Sequence, residues 1–216
     1  TYHYGNVADQ AHFAAALDAP NAPEHLAGIP KPRLMFVGAI DAYKLDLPML
    51  TALARQRSEW SFVLLGPVGE ADPDTRITDL RALPNVFVMG LQPYADLPAW
   101  LAHADVALLP LQENTYTQHM FPMKFFEYLA AGRPVVATRI PALRPFVSAA
   151  LLCPPDAEAF DAAIATVLAG DGPPLQQRLA LAAEHTYESR TRKMLADLQR
   201  EGLLDAASSG RSKLRA

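Results

Sequence analysis

The stretch HMFPMKFFEYLAAGRPVVAT (119–138) sets a lysine, Lys124, at the start of a helical pattern and an acid, Glu127, three residues later. Pro122 reads as the first helical residue, because its ring presets φ and it has no N–H to leave unpaired. Phe121 before it has no side-chain oxygen for capping, so the amides of Met123 and Lys124 are expected to be free. Free amides at a helix N-terminus suit a phosphate group. A lysine there opposes the helix dipole by a few tenths of a kcal/mol unless an anion is bound. The chemistry expected is a phosphate docked on these amides and on Lys124, with Glu127 accepting hydrogen bonds from vicinal hydroxyls such as those of a ribose. The competing reading is an exposed i,i+3 ion pair of little consequence.

Further segments could complete such a site. In GAIDAYKLD (38–46), Gly38 ends an apolar run and lets backbone approach a ligand closely. Lys44 in the same segment is a second cation for a diphosphate, or more plainly a solvated loop lysine. Gly66 and Gly69 follow the next apolar run, in LLGPVGEAD (64–72), and border the same region. Leu91 lies in MGLQPYADLP (89–98), whose backbone N–H and C=O groups stand at a strand end where they could read a base edge. Tyr94 and Trp100 are read as packing residues. His119 is the one histidine beside the expected site and is a candidate contact to sugar or phosphate. It shares a long polar segment, LQENTYTQH (111–119), with Glu113 and Asn114, and that segment is read as a functional loop. No G-x-G-x-x-G and no G-x-x-x-x-G-K-[ST] occurs, which argues against an NAD(P) enzyme or a P-loop ATPase. G-x-S-x-G is absent, as is any close spacing of His, Cys and acids, so no metal is expected.

Positioning these residues requires strands that end beside one another. Short apolar runs at 33–38, 60–66, 85–90, 105–110, 134–138 and 150–154 read as strands. Between them lie helical patterns at 46–57, with Pro48 in the first turn, at 72–83, with Asp72 as N-cap and Pro73 first, and at 95–104. A short helix is expected near 142–147. Another is capped by Asp156, with Phe160, Ile164, Val167 and Leu168 on one face, and one or two more run over 175–204. Strands without polar alternation, each followed by a helix, predict an α/β fold: a Rossmann-like, doubly wound parallel sheet of about six strands with helices on both faces. In such a sheet a ligand sits outside the carboxyl ends of the strands at the switch point, where Gly38, Gly66, Gly90 and Pro110 fall.

Residues 1–31 are poor in strand signals and rich in proline towards their end, and read as an interdomain linker with one helix near 9–17. Residues 32–205 form the predicted domain, and 206–216 a disordered tail. The chain has 216 residues, half of them apolar, which is enough for a sizeable core. A net charge of −4 argues against general nucleic-acid binding. One cysteine, Cys153, excludes an intrachain disulfide and points to a reducing, cytoplasmic setting. No apolar run reaches the ~20 residues needed to span a bilayer. Thr1 in place of Met suggests a piece of a longer protein.

These segments, in order, resemble a known family. NVADQAHF (6–13) is similar to the link between the two domains of GT-B glycosyltransferases. FVGAIDAYKLDLPML, SFVLLGPVG, VFVMGLQPYADLPAWLAHADVALLPL and FPMKFFEYLAAGRPVVAT resemble successive segments of their C-terminal, nucleotide-sugar-binding domain, in the family 4-like group. The resemblance runs from about residue 6 to about residue 200 and implies the C-terminal half of a GT-B fold. It implies that Glu127 holds ribose hydroxyls, that Met123 and Lys124 face the diphosphate, and that Lys44 lies near a phosphate-binding lysine. The family's first glutamate falls on His119, and its Gly-Arg after the first strand is Gly38-Ala39 here.

The function expected is donor binding: transfer of a sugar from a nucleotide diphosphate sugar to an acceptor hydroxyl of a polysaccharide, glycolipid or similar molecule, with this piece inactive alone. The acceptor would be bound by the other domain, with peripheral membrane contact open to the full-length protein. A GT-B-fold nucleotide-sugar epimerase and a non-catalytic binding module of the same fold are the alternatives.

Overall fold

The computed structural model describes residues 2, 4–18 and 20–203. At its centre is a parallel sheet of β1 (Arg33–Val37), β2 (Ser61–Leu65), β3 (Val86–Gly90), β4 (Val106–Leu109), β5 (Val135–Thr138) and β6 (Leu151–Cys153). The strand order is β3-β2-β1-β4-β5-β6. In register, Leu34 of β1 pairs with Phe62 of β2 on one side and Val106 of β4 on the other. Every residue of β2, β4 and β5 is buried, as a parallel sheet covered on both faces requires. The order grows outward in both directions from the β1–β4 pair. The connections after these two strands therefore leave in opposite directions, and a crevice opens between them at the carboxyl edge.

The helices are α1 (Gln10–Ala14), α2 (Leu47–Gln56), α3 (Thr78–Arg81), α4 (Leu97–Ala102), α5 (Thr115–His119), α6 (Met123–Ala130), α7 (Ala157–Leu168), α8 (Leu175–Glu184) and α9 (Tyr187–Arg200). One layer brings α2 against α3 and α7, and Arg57 at the end of α2 pairs with Asp161 of α7. The other layer joins α6 to α1 and α8. Asp46 caps α2 by accepting from the Met49 amide at 2.9 Å, and Asp156 caps α7 by accepting from the Glu158 and Ala159 amides.

The N-terminal stretch expected as a linker is packed on the domain. Phe13 and Leu26 are fully buried in the main core. Each such side chain stabilises the docked segment by about 1.5–3 kcal/mol, which outweighs the loop-like composition around it. The Ala8 amide donates to the His185 carbonyl at 3.0 Å, and the Asn6 side-chain amide donates to the Phe121 carbonyl at 2.8 Å.

Four local expectations change. The 72–83 helix shrinks to α3, because Asp72 and Pro73 open a turn instead. The Thr75 amide donates to the Asp72 carbonyl, and its hydroxyl donates to the Asp72 carboxylate while accepting from the Ala42 amide. Asp then Pro is also the signature of a type I turn. The polar segment 111–119 is not all loop: α5 forms behind a capping box between Asn114 and Thr117. Leu168, placed with the buried face of α7, is more than a third exposed at the helix end, while Phe160, Ile164 and Val167 are buried. Pro122 is the N-cap of α6 and not its first residue. The tail expected at 206–216 lies outside the described residues.

Candidate functional site

Three strands end in glycine turns that are laced together. The Gly38 amide donates to the Leu65 carbonyl and the Gly66 amide to the Gly90 carbonyl, each at 2.8 Å. Gly66 has φ +143°, and a Cβ there would overlap the Gly38 carbonyl oxygen and lie 2.6 Å from its carbon. Close approach of the two turns therefore requires glycine at 66. Tyr128 of α6 fixes the end of β1 from below: its hydroxyl accepts from the Val37 amide at 2.8 Å. Burial keeps this phenol protonated by raising it far above the ordinary tyrosine value. Thr138 clamps the exit of β4 in the same way. Its hydroxyl accepts from the Leu111 amide at 2.9 Å and donates to the Leu111 carbonyl at 2.7 Å.

Two clefts open on either side of Gly38–Ala39. The larger, about 590 Å³, is walled by the ends of β1 and β2 and by Leu91 to Tyr94. The smaller, about 410 Å³, is walled by Lys44, Leu111, Tyr116, Met120 and Met123. Lys124 lines both. It stands in the first turn of α6, whose N-cap Pro122 makes no side-chain hydrogen bond to the helix amides. The Phe125 amide turns back to the Pro122 carbonyl at 3.2 Å, which leaves those of Met123 and Lys124 directed out of the helix end.

The Lys124 ammonium donates to the Glu127 carboxylate at 2.8 Å. The side chain of Glu127 is only 6% exposed and that of Lys124 29%. This is the ion pair of the plainer reading, but it is half-buried at the cleft, not loose on the surface. Glu127 lies behind Lys124 and does not line either cleft. Its charge nevertheless reaches the larger one. Tyr94 on that wall has its phenol raised above the ordinary value, first by burial and then by the Glu127 and Asp9 charges.

Lys44 is held in the same manner. Its ammonium lies 3.0 Å from Asp41 Oδ2, and Asp41 is fully buried. Burial alone pulls the ammonium down, but the adjacent Asp41 carboxylate outweighs it and holds Lys44 above the ordinary lysine value. The other Asp41 oxygen accepts from the Ala71 amide at 3.2 Å. Asp41 was not singled out from sequence; an acid three residues before a lysine in a loop carries no signal of burial.

Of the residues expected at the site, Gly38, Gly66, Leu91 and Lys124 line the larger cleft, and Gly38, Lys44, Met123 and Lys124 the smaller. Leu91 is 78% exposed on the lip. Tyr94 departs from its packing role: one face stacks on His12 at 4.3 Å, but half its surface is open to the larger cleft. Trp100 is buried as expected. His119 lines neither cleft and stands in a separate groove beyond α5 with Arg139 and Arg144. Among the described residues, no three His, Cys, Asp or Glu side chains group as metal ligands, and no helix is long and apolar enough to cross a membrane.

The family model described as "Glycosyl transferases group 1" matches residues 31–186. A Bacillus subtilis (strain 168) protein named for teichuronic acid biosynthesis as a glycosyltransferase, TuaH, is 37% identical over 108 residues, half of this chain and 27% of that protein. Among solved structures, Anabaena Alr3699/HepE in complex with UDP aligns with a TM-score of 0.69 at 15% identity, over 90% of this chain and 56% of that one. Sucrose-phosphate synthase from Thermosynechococcus elongatus aligns with a TM-score of 0.64 at 23% identity, over 92% and 50%. The chain thus spans about half the length of these structures and about a quarter of TuaH. The sheet order, the crevice between β1 and β4 and the family match agree: the chain belongs to the glycosyl transferases group 1 family and is a GT-B-type glycosyltransferase domain.

Proposed function

We propose that this domain binds a nucleotide diphosphate sugar, and that the protein containing it moves the sugar to an acceptor hydroxyl. The observation that carries the reading is the start of α6. Outward-facing amides and a half-buried lysine meet where the two clefts join, at the switch point of the sheet. In this reading the nucleotide occupies the larger cleft, its base beside the backbone of Leu91 and the open face of Tyr94. The diphosphate lies on the Met123 and Lys124 amides, where it competes with Glu127 for the Lys124 ammonium. Glu127 is then available to the ribose hydroxyls. As the bond from sugar C1 to the diphosphate oxygen breaks, negative charge grows on the leaving diphosphate. The free amides at the start of α6 stabilise it without reorganising, and the Lys124 ammonium does so once it has left Glu127. Lys44, fixed by Asp41, is the second cation on the sugar side.

The UDP in the Anabaena HepE structure, a protein of the same fold, supports a nucleotide partner. The teichuronic acid biosynthesis in the name of TuaH supports a role in polysaccharide biosynthesis. The acceptor, a saccharide or glycolipid, reaches the sugar from the part of the protein beyond this chain, in the cytoplasm or at its membrane surface.

Calorimetric titration of the chain with UDP, GDP, ADP and their sugars tests the reading. A charge-assisted hydrogen bond contributes about 1.5–3 kcal/mol. Lys124→Ala should therefore weaken the preferred nucleotide by roughly 10- to 100-fold, and Glu127→Ala should weaken it with a preference for loss of the ribose contacts. Absence of binding for every nucleotide by the folded chain refutes donor binding. Affinity unchanged by both substitutions refutes the site.

A further inference from the structure

We infer that the groove on the far side of α5 binds a saccharide carrying an anionic oxygen group, a carboxylate or a phosphate. This groove is separate from both donor clefts. The helix α5 divides them: Tyr116 and Met120 line the smaller cleft, while Thr117, Gln118 and His119 line the groove. Its volume, about 310 Å³, is at the lower end of small-molecule sites.

Two arginines make its far wall. Arg139 follows β5, and its backbone is fixed there by donation of its amide to the Cys153 carbonyl at 2.8 Å. Arg144 stands on the 3₁₀ turn Pro141–Phe146. Most of the arginines that serve the fold spend their guanidinium on protein acceptors. Arg33 binds the Leu26 and Ile29 carbonyls, Arg133 the Ala102 and Ala104 carbonyls, and Arg57 pairs with Asp161. Among the described residues, neither Arg139 nor Arg144 has a carboxylate partner, and the one polar contact is from Arg139 Nε to the Leu152 carbonyl at 3.4 Å. The two arginines bring two positive charges to one groove, and a guanidinium binds a carboxylate or phosphate bidentately.

The opposite wall is different in kind. Glu113 and Gln118 line it with His119. An acid across the groove from two arginines is wrong for a bare anion but right for a sugar hydroxyl, which donates to it. The mixture therefore selects a saccharide with one charged group over an inorganic ion. The wall is held in place independently of any ligand: the Asn114–Thr117 capping box fixes α5, and the Thr117 hydroxyl donates to the Gln112 carbonyl at 2.6 Å.

The test is NMR titration of the chain, following the His119 ring, with methyl β-D-glucuronide, glucose 6-phosphate, neutral methyl β-D-glucoside and inorganic phosphate. At least one charged saccharide should bind ten-fold or more tightly than the neutral glucoside and than phosphate alone. Preference for the glucuronide assigns a carboxylate, and preference for glucose 6-phosphate assigns a phosphate. The R139A/R144A pair should abolish that preference while leaving the melting temperature and UDP affinity unchanged. R139K/R144K, which keeps charge and removes the fork, should retain part of it, and stands in should the alanine pair fail to fold. Equal binding of charged and neutral sugars, indifference to the arginine substitutions, or phosphate binding as tightly as the sugar phosphate overturns the inference. Loss of UDP affinity in the arginine variants also overturns it, by merging the groove with the donor site. Failure of the wild-type chain to bind any of UDP, GDP and ADP refutes the donor reading and leaves this inference standing.

Discussion

Gly66→Ala and Gly90→Ala apply one chemical change to two neighbouring strand ends, and the structure separates their costs. At Gly90, φ is +68° and nothing lies within 4 Å of the added Cβ. The expected penalty is the left-handed backbone alone, about 1–2 kcal/mol. At Gly66, φ is +143°, and the Cβ would overlap the Gly38 carbonyl, with its carbon only 2.6 Å away. The obstacle is backbone, so no side chain can rotate aside. Backbone strain of about 1–3 kcal/mol is joined by the loss of the Gly38–Leu65 hydrogen bond, a further 0.5–1.5 kcal/mol or so, as the turns are pushed apart. The sum is about 1.5–4.5 kcal/mol, which for a domain of this size lowers the melting temperature by roughly 3–18 °C. Urea unfolding with a common m-value measures both variants. Because Gly38 lines both clefts, Gly66→Ala should also weaken nucleotide binding, and Gly90→Ala should do so less. Equal destabilisation by the two substitutions would refute the argument that close approach of the β1 and β2 turns fixes glycine at 66.

Tyr128→Phe removes the acceptor of the buried Val37 amide and should destabilise the domain by about 1–3 kcal/mol in chemical denaturation. A change below about 0.5 kcal/mol would mean the amide finds water. Cys153 is raised to about 12, chiefly by burial, with the Arg139 charge opposing. At pH 8 its thiolate fraction in the folded chain is then on the order of 10⁻⁴. Iodoacetamide should label it more than about 100-fold faster in urea than in buffer, as mass spectrometry of timed quenches will show.

Strands and their layering were legible because parallel strands buried on both faces write themselves as unbroken apolar runs, and all six expected runs contain one. Glycine at the strand ends marked the carboxyl rim for the same reason: a chain that must turn sharply there has few alternatives. The misreadings share a physical cause. Asp72-Pro73 opens a helix or a turn with the same two residues, and only the distant Ala42 amide, drawn to Thr75, decides between them. Likewise, that the expected linker packs on the domain depends on a pocket for Phe13 and Leu26 that exists only once the domain is folded. Tyr94 was legible as an aromatic but not as half-open, since its stacking partner, His12, is 82 residues away. His119 shows the limit of spacing arguments: it stands four residues from Met123, yet α5 turns it into a different groove.

The two lysines of the clefts reveal a common construction. Lys44 follows Asp41 by three residues, and Lys124 precedes Glu127 by three. In each pair the acid is buried, at 0% and 6% exposure of the side chain, and the lysine keeps 21% and 29%. A loose surface lysine pays side-chain entropy when an anion immobilises it. Here a buried acid has already immobilised it at the wall. Both lysine charges are cancelled by their acids, and Glu70 stands on the wall of the larger cleft, so in the proposed donor reading the pull on a diphosphate is not a standing positive field. It comes from amides at the α6 N-terminus, which carry no counter-charge, and from ammonium groups whose bond to one oxyanion can be exchanged for a bond to another. The exchange at Lys124 is the more consequential of the two. In the proposed donor reading, only there does release of the acid free a carboxylate near the larger cleft, so that binding of the diphosphate and acceptance of neighbouring hydroxyls become one event.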